Sequence, residues 1–167
     1  MTTAALAAIY LAAVVAANIA VAAFGPDSVV VVAFLFIGLD LTTRDELHDR
    51  WRGRRLWLRM FSLITAGGAL SYLLAPGTGQ VAVASSVAFV CAGMADAIMY
   101  RLLGSRSRRL RVNGSNVLGA GVDSLVFPTL AFGAFMPLVV AGQWLAKVGG
   151  GALWHEVLRH VPVRQAG

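Results

Sequence analysis

The chain has 167 residues, of which 58% are hydrophobic and 13% charged, with a formal net charge of +6 and a mean hydropathy of +0.74. A soluble domain carries roughly a quarter of its residues as charges, so this chain cannot coat a water-facing surface. A disordered, collagen-like or disulfide-stapled chain is excluded as well, because apolar content is high and Cys91, inert filler of an apolar run, is the one cysteine.

The composition reads as an all-α membrane protein, a single transmembrane domain over residues 1–167. A span needs about 20 apolar residues, so the chain holds around six spans and no soluble catalytic domain. The first span covers residues 4–24 and lacks the basic flank of a cleavable signal peptide. Gly25, Pro26, Asp27 and Ser28 form a turn, with Ser28 or Asp27 placed to cap the next helix. The second span, residues 27–43, contains a valine run that could be read as a strand. No alternation or hairpin partner follows, and lipid does not tolerate an open sheet edge, so a helix is the better reading. Arg44 to Arg55 is then the most charged stretch, a cytoplasmic loop or surface-lying extension. The third span covers residues 56–74, with Arg59 able to snorkel to the headgroups. Ala75 to Gly79 make an uncharged turn. The fourth span, residues 81–103, ends in a basic loop, and the fifth (112–132) and sixth (135–158) are joined by a tight apolar connection.

Twelve of the fourteen basic residues fall after span two, after span four or in the tail, and the other connections hold none. Basic excess marks the cytoplasmic side, so both termini are expected on the inside of the cell (inner/cytoplasmic) membrane. This accounts for the positive charge without a nucleic-acid partner. Gly67, Gly68, Gly93, Gly119, Gly121 and Gly149 to Gly151 let helices approach closely, and the chain is compatible with a homo-oligomer.

Ionisable groups inside spans cost about 2.5–3.5 kcal/mol on insertion scales, and those that persist usually face a cavity or a partner. Asp40, Asp96, Asp123 and Lys147 qualify, with the amides Asn18, Asn116 and Gln143. For a lone amide, holding the bundle together is explanation enough; for three aspartates and a lysine it is not. Asn116 and Asp123 are seven apart with Phe127 four further on. Asp96 and Tyr100 are four apart, as are Gln143 and Lys147, so each of the last three helices offers a polar stripe. Converging stripes line a pocket for a flat, neutral, hydrogen-bonding molecule. No metal or other cofactor is expected, since His48, His155 and His160 sit at helix ends or in the tail. A phosphate loop, zinc spacing and nucleophile elbow are all absent from the sequence. Asp96 with Asp123 as an intramembrane protease pair is the one enzymatic alternative, and Gly119 to Asp123 is one residue too long for its Gly-x-Gly-Asp signature. An accessory subunit of a larger transporter is the other alternative.

Arg111 to Asn116, followed by Asp123, Ser124 and Phe127, resembles the Arg, Ser-Asn, Asp-Ser/Thr and Phe pattern of the VUT family of vitamin uptake transporters. Its YhhQ-type members are associated with import of queuosine precursors. Ala95, Asp96, Tyr100, Asn18, Gln143, Trp144 and Lys147 add to the likeness, which covers most of the chain; the short second span departs from it. The resemblance implies a six-helix carrier for 7-cyano-7-deazaguanine or a related 7-deazapurine, salvaged for modified nucleic acid. A carboxylate, Asp123 or Asp96, would accept from the ring N–H and exocyclic amine of such a base. Asn116 and Gln143 would take the remaining edges, Phe127 or Tyr100 a face, and Lys147 would neutralise the unoccupied carboxylate.

Overall fold

A computed structural model describes residues 1–51, 55–103 and 107–159. Among them every regular element is helical: α1 (Thr3–Phe24), α2 (Val29–Val32), a π-helical turn (Ala33–Ile37), α3 (Gly38–Arg50), α4 (Leu56–Leu74), α5 (Gly79–Leu102), α6 (Arg108–Phe132) and α7 (Pro137–Arg159). The segments from Val29 to Arg50 run on without a break, so the described residues make six rods. Among the described residues four stretches are long and apolar enough to cross a membrane: Thr3–Phe24, Pro26–His48, Leu56–Leu74 and Pro76–Met99. The remaining two rods, α6 and α7, carry Asn116, Asp123, Gln143 and Lys147 in their lengths, which lowers their apolarity.

The rod ends follow from local chemistry. Thr2 caps α1, its hydroxyl accepting from the Ala5 N–H at 3.1 Å, which satisfies one of the first-turn donors. Gly25 and Gly133 end α1 and α6 at φ 69°, a conformation that a side chain would strain. Pro26 and Pro76 each open a 3₁₀ turn that feeds the next helix. Ser28 does not cap α2, contrary to the expectation from sequence. Its hydroxyl donates back to the Gly25 carbonyl at 2.7 Å, because the 3₁₀ turn leaves that carbonyl in reach. The charged stretch after Asp40 is also more regular than a loop. It continues the helix to Arg50, where the guanidinium pairs with Glu46 one turn back and donates to the Met1 carbonyl at 2.8 Å.

Side-by-side neighbours close into a ring: α1 packs on α4, α4 on α5, α5 on α6, α6 on α7, α7 on the π turn and α3, and α3 on α1. Large apolar side chains such as Phe24, Val31, Leu58, Phe61, Leu73 and Leu138 point outward, a surface suited to lipid tails. Small residues fill the inner contacts. Gly119 brings α6 to within a methyl group of the Ala92 carbonyl on α5. Gly142, Gly150 and Gly38 do the same where α7 crosses the second rod. One end of the ring is sealed by an apolar cluster of Ala17, Val21, Val29, Val32, Val81, Ala84, Ala88, Phe127 and Ala131.

Candidate functional site

The ring encloses a cavity of about 1120 Å³. Met1, Asp45, Glu46, His48, Arg50, Trp57 and Leu158 rim it where the N-terminal end of α1 meets the C-terminal ends of α3 and α7. The apolar cluster closes the other end. Of the positions singled out from sequence, Asn18, Asp96, Asn116, Asp123, Phe127, Gln143 and Lys147 all contribute to the wall. The side chain of Tyr100 lies outside the described residues, as do those of Arg108, Arg109, Arg111 and His155 and the whole of His160.

The ring sorts these residues by what they touch. Lys147, 2% exposed, donates to the Asp123 carboxylate across the α6–α7 contact. Two opposite charges buried together avoid the isolated-ion penalty that either would incur alone. Asn18 is committed in part to packing, since its amide donates to Ser71 Oγ at 3.0 Å and that hydroxyl donates to the Gly67 carbonyl at 2.7 Å, tying α1 to α4. Phe127 belongs to the apolar seal and meets the Phe132 ring edge-on, with centroids 6.5 Å apart. It forms the cavity floor. Trp144 donates to the Val117 carbonyl at 3.1 Å, so it fastens α7 to α6.

Three residues that the sequence left out of the binding set line the same wall. Asp40 is 6% exposed and lies within electrostatic range of Arg44, Asp123 and Lys147. Tyr10 is 1% exposed and interacts with Asp40 and Arg44. Arg44, read from sequence as a topology-setting loop charge, instead projects over the Phe89 ring at 5.3 Å from its centroid. Its Nε lies 3.7 Å from Asp45 Oδ1, beyond hydrogen-bond reach. Arg44 was missed because its neighbours Arg50 to Arg55 look like one solvated run. The helix continues through it, and four residues after Asp40 it falls on the same face. His48 sits in the last turn of α3, at the helix end as read from sequence, and lines the cavity rim there.

Buried polar atoms without a hydrogen-bond partner gather at the cavity wall. Among the described residues, the buried side-chain atoms without a partner are Asp40 Oδ1, Asp96 Oδ1, Gln143 Oε1, Arg44 Nε and Ser124 Oγ, and all but Ser124 line the cavity. Buried polar groups in folded proteins are nearly always satisfied, so several orphans facing one cavity mark the surface that a ligand completes. Asp123, by contrast, is engaged by Lys147. The two carboxylates Asp96 and Asp123 therefore sit in different environments, one open and one ion-paired.

The family model described as "Putative vitamin uptake transporter" matches residues 2–155. Neither a curated protein nor a solved structure gives a match. A match over nearly the whole chain, on a helical ring around a polar cavity, makes this protein a member of the VUT family of membrane transport proteins.

Proposed function

We propose that the protein imports a queuosine precursor, 7-cyano-7-deazaguanine or a related 7-deazapurine, across the bacterial inner membrane. In this reading all six rods span the bilayer and both termini are cytoplasmic. The observation that carries it is the set of orphaned acceptors in the cavity. A guanine-like edge presents a ring N–H and an exocyclic amine side by side, and one carboxylate accepts both. Asp96 takes that edge, because Asp123 is held by Lys147. Gln143 and Asn116 take the remaining edges, Phe127 supplies an apolar face from the floor, and the Lys147–Asp123 pair fixes α6 against α7 beneath the base. Asn18 supports the wall through Ser71. A cavity of about 1120 Å³ exceeds what a bicyclic base fills, which leaves room for water at the rim.

Complementation tests this directly. The chain is expressed in a strain lacking both precursor synthesis and its own importer, and queuosine is measured in tRNA. Rescue by the wild type, lost in Asp96→Asn, is the expected result. Absence of rescue with verified membrane expression, or full rescue by Asp96→Asn, removes the reading, and rescue only with a co-expressed partner points to an accessory subunit.

A further inference from the structure

We propose that Asp40 carries a coupling proton, so that the protein works as a proton symporter; this rests on the transport function proposed above. Below the rim residues Asp45, Glu46, His48 and Arg50, the described cavity wall holds the carboxylates Asp40, Asp96 and Asp123 and the cations Arg44 and Lys147. Lys147 is committed to Asp123. Arg44 lies within electrostatic range of Asp40, Asp45 and Asp96, and its Nε hydrogen-bonds to none of them. Asp40 is left more than nine-tenths buried with Oδ1 unpartnered. A buried anion with an unpartnered oxygen at this depth is costly, and ionisable residues in such positions serve ion or proton pathways.

The groups facing Asp40 favour a proton over a metal cation. Within electrostatic range of it lie Tyr10 on α1, Arg44 and Asp45 on its own helix, Asp123 on α6 and Lys147 on α7, and Asp96 on α5 lies within range of Arg44. Two of these are themselves cations. A hard metal ion needs several oxygens around it, and no cluster of metal-ligating side chains exists among the described residues.

Asp40 also sits where a change of charge is felt mechanically. It follows the π turn by three residues, next to the crossing where a Cβ on Gly38 would meet the Gly150 backbone at 2.6 Å. Gly150 is three residues from Lys147, so the second rod and the helix that bears the ion pair cannot shift independently. The proton enters from the sealed end when that end opens, binds Asp40 Oδ1, and leaves through the rim past Asp45, Glu46 and His48.

The test uses the full chain in proteoliposomes with an inward pH gradient and radiolabelled 7-cyano-7-deazaguanine. One proton per neutral substrate gives about tenfold more accumulation per pH unit, collapsed by a protonophore. Asp40→Asn is expected to lose gradient-driven accumulation while counterflow stays measurable; Asp40→Glu is expected to keep the gradient response with a displaced pH profile. Gradient-driven accumulation by Asp40→Asn at the wild-type level, or wild-type accumulation that follows sodium and ignores pH, overturns the proposal. If the wild type neither accumulates nor exchanges this base, the substrate reading is lost, and infrared difference spectroscopy decides the proton site alone. A carboxylic-acid band at neutral pH that vanishes in Asp40→Asn and persists in Asp96→Asn supports it. The same band unaltered in Asp40→Asn overturns it.

Discussion

At Lys147 and Asp123 a charge that lipid-depth burial penalises is stabilised by its opposite from the neighbouring helix. Removing one partner of a buried pair costs about 3–5 kcal/mol, because the survivor is stranded. Asp123 keeps a side-chain exposure of 23%, so the lower part of that range applies. Lys147→Met and Asp123→Leu are each expected to lower the thermal midpoint in detergent and to abolish uptake. The double variant should recover most of the stability and none of the uptake; a double variant as unstable as the singles would show that the pair is not coupled. Asn18 makes a second residue-scale case. Asn18→Leu removes the bond to Ser71, a loss of about 0.6 and at most about 1.7 kcal/mol for interhelical bonds in membranes. Uptake is expected to weaken only modestly, and complete loss at normal expression would assign Asn18 to direct substrate contact.

The second rod is the element that departs most from a plain spanning helix. Its π turn, Ala33–Ile37, frees a carbonyl, and Trp154 on α7 donates its indole N–H to Leu35 O at 2.7 Å. The same crossing holds Thr42, whose hydroxyl reaches the carbonyls of Gly38 at 2.9 Å and Gly151 at 3.3 Å. π turns recur at functional sites because the inserted residue re-aims the side chains that follow, here Asp40 and Arg44. Two adjacent glycines give a sharp test. A Cβ on Gly150 would lie 2.2 Å from Phe34 O, whereas one on Gly151 meets nothing within 4 Å. Gly150→Ala should destabilise by about 1–3 kcal/mol or more, as overpacking does. Gly151→Ala should be neutral or gain up to about 1 kcal/mol from helix propensity. Equal thermal midpoints for the two variants would refute this close crossing.

For the whole molecule, orientation and access are linked. The uncharged or acidic turns at residues 25–28, 75–78 and 133–136 share one end of the ring; Met1, Trp51, Arg55, Leu103 and Ser107 lie at the other. In the proposed orientation, with positive charge retained on the cytoplasmic side, the cavity rim would be cytoplasmic and the apolar cluster an outer seal. In a Cys91→Ala background, Asp27→Cys is expected to react with a membrane-impermeant maleimide added to intact cells. Arg55→Cys should react only after permeabilisation, and the reverse pattern would invert the topology. Opening the seal requires parting Val21, Val29, Val81 and Phe127, so enlarging Ala84 to Leu at their centre is expected to slow uptake severalfold, read as a lower initial rate at equal surface expression.

The sequence by itself determined the solvent, the helical class and the neighbourhood of every rod, since apolar run lengths and the positions of Gly, Pro and Arg are local properties that water and lipid read one segment at a time. It also marked Asp96, Asn116, Asp123, Gln143 and Lys147 as cavity candidates, because charge inside an apolar run stands out without a structure. Tertiary structure decided the rest. Spacing along one helix says nothing about the helix opposite, so only the ring shows that Lys147 meets Asp123 and leaves Asp96 and Asp40 open. It also committed Asn18 to Ser71, assigned Phe127 to the seal and turned Arg44 from the charged run into the cavity. Those assignments depend on which rods touch, and the glycine crossings between the second rod and α7 act between segments more than a hundred residues apart, as between Gly38 and Gly150.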